Sequence, residues 1–259
     1  MNKPLFIWAP SVRCGSTLLQ RLISSTKDVL VFGESYRLIK DLPFEIKKLE
    51  STIHNTRNLI AENIDERGYN RFRDGDFYFW SPNVMPDQQI ELEAQHLTLS
   101  ALQSEFDTMI LNYEHCALSA GFKSWGVKTP EFIPQGLAYL LGRYPESKHM
   151  FIYRNLIDVV KSAKARSQDP KRPKMIYHLP SFCNNYETSL NQLFRTMYGV
   201  KYETLKDNID LITENFGLGR ADHGIFDHKY NIFGEWQPGQ YIPPAELTDE
   251  EMEVVSKYV

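Results

Sequence analysis

Three cationic residues and one carboxylate each follow closely on a short apolar run of the chain. They are Arg13, Glu34, Lys128 and Arg154, which come after Leu5–Trp8, Val29–Phe32, Trp125–Val127 and His149–Tyr153 respectively. Several cations placed together would bind a ligand with more than one negative charge, and a carboxylate beside them could accept a proton. The sequence therefore predicts a site for a polyanionic ligand with one proton acceptor.

The sharpest local motif is the loop Arg13-Cys14-Gly15-Ser16-Thr17. Gly15 permits a close approach of the backbone to a ligand, and Ser16 begins a stretch with helical spacing. The free N–H groups and the dipole at a helix N-terminus bind phosphate-like oxygens. A nucleotide triphosphatase would carry a lysine directly after the second glycine of its loop. No lysine follows Gly15, which disfavours ordinary ATP or GTP hydrolysis.

The four apolar runs and a fifth, Val200–Tyr202, are predicted to be strands separated by helices. The predicted helices cover Ser16–Ser25, about 36–66, about 87–119, Ile133–Arg143, Leu156–Ser167, Phe182–Tyr198 and Leu205–Phe216, with a last one from Thr248. This alternation favours a three-layer α/β/α fold with a central parallel sheet of about five strands. Ligands of such sheets bind beyond the carboxyl ends of the strands, where all four charged residues would lie.

Length and charge narrow the class of protein. The 259 residues fit one large domain, and we expect 1–259 to form it, with a helical and aromatic insertion at about 36–120. The insertion includes the aromatic segment Tyr69–Trp80. The 29 basic and 33 acidic residues give a formal net charge of −4, which disfavours nucleic acid or an anionic membrane as partner.

The cysteines and the N-terminal residues bear on location. The three cysteines lie at wide spacings that match neither a disulfide framework nor a zinc pattern. Leu5–Ala9 is too short for the apolar core of a secretory signal, and no stretch approaches the roughly 18 apolar residues of a membrane span. We therefore expect a cytoplasmic protein without a membrane anchor.

Several segments resemble sulfotransferases that use 3′-phosphoadenosine 5′-phosphosulfate (PAPS). Pro10–Glu34 resembles their 5′-phosphosulfate loop and following strand, most closely in the tyrosylprotein sulfotransferase branch, which has a glutamate after the second strand. Arg154–Ser162, an arginine followed eight residues later by a serine, resembles the 3′-phosphate motif. Lys201–Leu205 resembles the Tyr-Glu-Asp-Leu segment, and Lys229–Trp236 resembles the C-terminal loop that closes over the nucleotide.

The chain departs from the family pattern at several of these positions. Cys14 stands for the usual serine, Asn155 for the usual aspartate and Lys229 for the usual arginine, while Tyr230-Asn231 replaces Lys-Gly. The match of the C-terminal loop is therefore looser than the matches of the two phosphate motifs.

The resemblance implies transfer of a sulfuryl group from PAPS to a hydroxyl or amine. Because neither a secretory signal nor a membrane anchor is predicted, we expect the acceptor to be a cytoplasmic small molecule. It assigns the 5′-phosphosulfate to Arg13, Cys14, Gly15, Ser16 and Thr17, the 3′-phosphate to Arg154, Ser162 and Lys229, and the adenine to Tyr202. Lys128 would stabilise the charge that develops during in-line displacement, and Glu34 would be the general base. No metal is required, and the five-residue spacing of His223 and His228 does not fit a metal site on one helical face.

Each of these residues also has a purely structural interpretation. Glu34 could stabilise the N-terminus of the following helix, and Lys128 could be a surface lysine at a strand end. Arg154 could pair with Asp158 one turn later, and Ser162 could bond back to the main chain. At the level of function, a phosphate-loop small-molecule kinase and a non-catalytic nucleotide-binding module remain alternatives.

The acceptor and the oligomeric state are not predicted by these patterns. The aromatic segment Tyr69–Trp80 could line an acceptor pocket or pack within the core. Acidic residues beside it, Asp74, Asp76 and Asp87, suggest a cationic acceptor.

Overall fold

A five-stranded sheet forms the centre of the protein. The computed structural model describes residues 3–64, 84–168, 178–227, 230–231, 234–235 and 244–259. The strands are β1 (Leu5–Trp8), β2 (Val29–Phe32), β3 (Ser124–Lys128), β4 (Lys148–Tyr153) and β5 (Tyr198–Lys201). Their spatial order is β2-β3-β1-β4-β5, and every neighbouring pair is parallel. The predicted α/β class with a central parallel sheet is confirmed.

Eight α-helices occur in the described part of the chain. They are α1 (Ser16–Ser25), α2 (Leu42–Ile64), α3 (Val84–Ser119), α4 (Pro134–Arg143), α5 (Leu156–Gln168), α6 (Leu179–Phe194), α7 (Leu205–Asn215) and α8 (Asp249–Val255). A π-helical turn at Arg37–Asp41 precedes α2, and 3₁₀ turns occupy Tyr202–Thr204, His223–Asp227 and Ser256–Tyr258. Two short antiparallel strands, β6 (Tyr230–Asn231) and β7 (Gly234–Glu235), form a separate pair. None of the described helices is both long and apolar enough to cross a bilayer.

The prediction around β5 was wrong in its boundaries. The helical spacing extended the preceding helix to Tyr198, but α6 ends at Phe194, and Tyr198 pairs with Met150 in the sheet. The Tyr198 ring packs edge-on against Phe216 at 5.6 Å between centroids. Tyr202, expected in the strand, lies instead in the 3₁₀ turn that follows. Pairing with β4 and aromatic packing make this segment a strand, and the spacing of its apolar residues does not reveal those contacts.

The chain forms two compact units, one of residues up to Tyr36 together with Tyr113–Val259, the other of Arg37–Asn112. The second unit contains α2 and α3 as far as Asn112. Within it, Arg37 donates from Nε and Nη2 to the two carboxylate oxygens of Glu105, each at 2.8 Å, and from Nη1 to Glu45 at 2.9 Å. That the whole chain behaves as one domain stays a prediction, and the aromatic segment Tyr69–Trp80 lies outside the described residues.

The first unit has an apolar core built on the sheet. Buried side chains of β1, β2, β4 and β5 join those of α1, α5, α6 and α7 in one cluster. Elsewhere on β1, Phe6 stacks on His149 of β4 with ring centroids 5.1 Å apart, and Trp8 Nε1 donates to His149 Nδ1 at 3.1 Å. Burial lowers the pKa of His149 to about 4, so this imidazole stays neutral at physiological pH. The packing fixes β1 and β4, from whose ends Arg13 and Arg154 extend.

Candidate functional site

A cavity of about 420 Å³ lies where β1, β2, β3 and β4 end. It is lined by Val12, Arg13, Gly15, Ser16, Thr17, Glu34, Lys128, Pro130, Arg154, Ser162, Arg166 and Tyr202. All of these residues belong to the first compact unit. The four charged residues that follow separate strands in the sequence thus border one cavity.

The loop after β1 presents a helix N-terminus to this cavity. Gly15 precedes α1 with φ of +93°, and no side chain caps the helix. A Cβ added at Gly15 would lie 2.3 Å from Cδ2 of Tyr202, so only glycine fits beneath that ring. Arg13 also has a positive φ, +73°, which costs energy for a side chain other than glycine. The first turn of α1 carries no acidic residue, so its N–H groups and dipole favour an anion here.

Cys14 is the member of the loop whose side chain turns away from the cavity. Its side chain is fully buried in the apolar core, with Sγ 3.7 Å from Ser11 Oγ. Burial raises the pKa of the thiol to about 11, against the opposing effect of the contacts with Ser11. Cys14 is therefore a protonated packing residue and has no thiolate for nucleophilic chemistry.

Lys128 and Glu34 form an ion pair at the edge of the sheet. Lys128 Nζ donates to Glu34 Oε1 at 2.9 Å and to Thr17 Oγ1 at 3.3 Å. The lysine side chain is only 5% exposed, whereas that of Glu34 is 47% exposed. Lys128 is thus not a surface lysine. Its ammonium group, held between α1 and the carboxylate, lines the cavity, and an incoming molecule can still reach Glu34.

Two arginines and a serine form the other side of the cavity. Arg13 Nε donates to Ser162 Oγ at 3.0 Å. The Arg154 guanidinium lies over the Tyr202 ring at 4.6 Å from its centroid, and its Nη2 is 3.8 Å from Asp158. The predicted structural pairing of Arg154 with Asp158 is therefore present. Arg154 Nε is nevertheless buried without a hydrogen-bond partner among the described residues.

The backbone around Arg154 is held by side chains of neighbouring elements. The Tyr186 hydroxyl donates to the Arg154 carbonyl and accepts from its N–H at 3.3 Å. Burial raises the pKa of Tyr186, which keeps the hydroxyl protonated for this contact. Asn155 accepts from the N–H of Ile157 at 2.9 Å through Oδ1, at the start of α5. Asparagine and aspartate cap helices equally well, which explains why asparagine is tolerated at this position.

Arg166 is a residue of the cavity that the sequence reasoning missed. It lies one turn after Ser162 on α5, so the two side chains share one helix face. The signal was present as a four-residue spacing after Ser162, but it does not follow a strand, the position that singled out the other cations. Arg166 adds a further positive charge to the same side of the cavity.

Other predicted features fall outside this site or outside the described residues. Lys229 and His228 lie outside them, and the next described residues, those of β6, pair antiparallel with β7. His223 Nε2 lies 3.1 Å from both carboxylate oxygens of Asp210, away from the cavity residues. Within the described ranges, no group of three histidine, cysteine, aspartate or glutamate side chains is close enough to hold a metal ion.

The fold and site define a parallel α/β protein whose first strand and first helix are joined by a glycine-containing loop at a cation-lined cavity. The chain belongs to the sulfotransferase family, whose family model matches residues 4–209. Among solved structures, it is similar to the sulfotransferase domain of the Synechococcus PCC 7002 olefin synthase, with 14% identity and a TM-score of 0.47 over 99% of this chain and 94% of that one. The sulfotransferase domain of the curacin biosynthetic pathway is also similar, with 14% identity and a TM-score of 0.48 over 99% and 97%. No curated protein sequence matches the chain.

Proposed function

We propose that the protein transfers a sulfuryl group from PAPS to a hydroxyl or amine of a small-molecule acceptor in the cytoplasm. Membership of the sulfotransferase family supports the reaction class. One observation supports PAPS as the donor. A single cavity is lined by the N-terminus of α1, one buried lysine and three arginines, and these groups match a nucleotide with anionic groups at two positions.

Each of the two anionic groups of PAPS is assigned to its own set of residues in the cavity. Arg13 and the N–H groups at the start of α1 bind the 5′-phosphosulfate, as the helix dipole favours. Arg154, Ser162 and Arg166 bind the 3′-phosphate, and Lys229 is assigned there by the resemblance. A forked guanidinium can contact two phosphate oxygens at once, and the unpartnered Nε of Arg154 is a donor suited to such an acceptor. The resemblance assigns the adenine to Tyr202, which lines the same cavity.

The chemistry is an in-line displacement at sulfur. The acceptor oxygen or nitrogen forms a bond to sulfur while the bond from sulfur to the 5′-phosphate oxygen breaks, and the acceptor proton passes to Glu34. Lys128 stabilises the negative charge that develops on the sulfuryl and leaving oxygens, because its fixed ammonium needs no reorganisation during the reaction. The 2.9 Å contact with Lys128 Nζ holds the Glu34 side chain at the cavity. These steps need no metal ion.

Release of 3′-phosphoadenosine 5′-phosphate (PAP) from PAPS tests the proposed function. We expect purified protein to release PAP when a small hydroxyl or amine compound is supplied, without added divalent metal. Magnesium-dependent ATP turnover in place of this activity would identify a kinase. Tight PAP binding with no release of PAP in the presence of any acceptor would identify a non-catalytic binding module.

A further inference from the structure

A second cavity adjoins the one assigned to the nucleotide. Its volume is about 430 Å³, and it is bordered by the loop after β1, the turn after β3 and one face of α6. Val12 lines both cavities, and Pro130 of the first is followed in the chain by Glu131 of the second. A molecule in the second cavity therefore lies beside the loop that receives the phosphosulfate.

The lining of this cavity has a clear chemical character. Of the described residues that border it, Glu131 alone is charged, and no cation of the described chain pairs with its carboxylate. Phe132 and Phe182 supply aromatic surface, and Asn185, Thr188 and Ser189 of α6 supply hydrogen-bonding groups. This combination suits a ring with an apolar face and a cationic substituent.

Glu131 occupies a fixed position. The Thr129 hydroxyl donates to the Glu131 carbonyl at 3.1 Å and accepts from its N–H at 3.4 Å. Thr129 is buried, and its own N–H donates to the Ile7 carbonyl at the end of β1. Because this turn is tied to the sheet, the backbone of Glu131 is fixed before a ligand binds, and only its side chain is left to be ordered.

Tyr36 senses the charges of both carboxylates. Burial, together with the smaller effects of the charges of Glu131 and Glu34, raises the pKa of Tyr36 to about 12. Both carboxylates therefore lie within electrostatic reach of one phenol, which keeps its proton.

We propose that the second cavity is the acceptor site and that its acceptor is an aromatic hydroxyl compound carrying an ammonium group. Glu131 binds the ammonium and discriminates against anionic acceptors, while the hydroxyl is directed towards Glu34. This proposal rests on the proposed sulfotransferase function. Glu131 is a binding residue and takes no part in proton transfer.

Three phenols whose short para substituent is cationic, neutral or anionic test the proposal: tyramine, 4-ethylphenol and 4-hydroxyphenylacetate. With PAPS as donor, we expect kcat/KM for PAP release to be about tenfold or more higher with tyramine than with 4-hydroxyphenylacetate, since one is attracted and the other repelled. Glu131→Gln should make the three phenols nearly equal, and the change should fall mainly on KM. Glu187→Gln removes an equal charge from an exposed position on α6 outside the cavity, and it should preserve the preference.

Each outcome of this experiment bears on one of the two proposals. An order of preference unchanged by Glu131→Gln would overturn the acceptor site, as would a wild-type protein that binds PAP but uses none of the three phenols. A wild-type protein that does not bind PAP would instead overturn the donor assignment. Unchanged PAP binding by Glu131→Gln shows that the variant is folded.

Discussion

Replacing Glu34 with glutamine is expected to lower the turnover number by about 100-fold or more, the usual scale for loss of a general base. Glutamine has the shape of glutamate but cannot take up the proton that the sulfuryl acceptor releases. It can still accept the hydrogen bond from Lys128 Nζ, which is 2.9 Å from the carboxylate. Binding of PAP should therefore change little, because Glu34 contributes negative charge and is not a ligand of the nucleotide's anionic groups.

Parallel measurements of PAP release and PAP affinity separate these effects. Glu146→Gln is a matched control, since Glu146 is exposed and pairs with Lys3 before β4 begins, and it should retain full turnover. If Glu34→Gln turned over at the wild-type rate, the base would have to be another residue. If it lost PAP binding as well, Glu34 would have a structural role in the site.

Replacing Lys128 with methionine is expected to lower kcat by about 100- to 1,000-fold, the scale observed when one preorganised donor to a developing oxyanion is removed. Methionine keeps much of the apolar stem of the buried lysine but has no ammonium group. The effect should fall on kcat more than on PAP affinity, because the charge that Lys128 stabilises grows during transfer. Single-turnover measurement of PAP release would report the chemical step directly.

The control for this variant lies immediately before the same strand. Lys123 precedes β3 at the opposite edge of the sheet, where its exposed side chain pairs with Asp28. Lys123→Met should leave kcat within about twofold of the wild type, as expected for an exposed ion pair. A Lys128→Met variant that kept its kcat but lost PAP affinity in proportion would make Lys128 a ground-state ligand of the nucleotide.

Much of the fold and of the candidate site follows from local patterns. The strands are short apolar runs, and parallel pairing places their carboxyl ends together, so charged residues after separate strands were expected to meet. Arg13, Glu34, Lys128 and Arg154 do border one cavity. Gly15 was also indicated, although the reason for it, the Tyr202 ring above its Cα, depends on a contact between distant parts of the chain.

The features that the sequence did not reveal depend on tertiary packing. Arg166 lies in the last turn of α5, where an arginine is ordinarily solvent-exposed. Its spacing from Ser162 becomes informative only once the cavity is known. Glu131 and α6 border the same cavity only because of the tertiary fold, and neither carries a local sequence motif. The side-chain direction of Cys14 and the early start of β5 are likewise set by neighbours in the core and the sheet.

The most direct test of the claim that the cation-lined cavity binds a nucleotide is the thermal stabilisation of the purified wild-type protein by PAP and by AMP. The two nucleotides differ by the 3′-phosphate assigned to Arg154, Ser162 and Arg166. We predict that PAP binds at least about tenfold more tightly than AMP, equivalent to about 1.4 kcal/mol, and raises the melting temperature clearly more at equal concentration. An equal response to both nucleotides would contradict the 3′-phosphate site, and no response to PAP would contradict the assignment of the whole cavity.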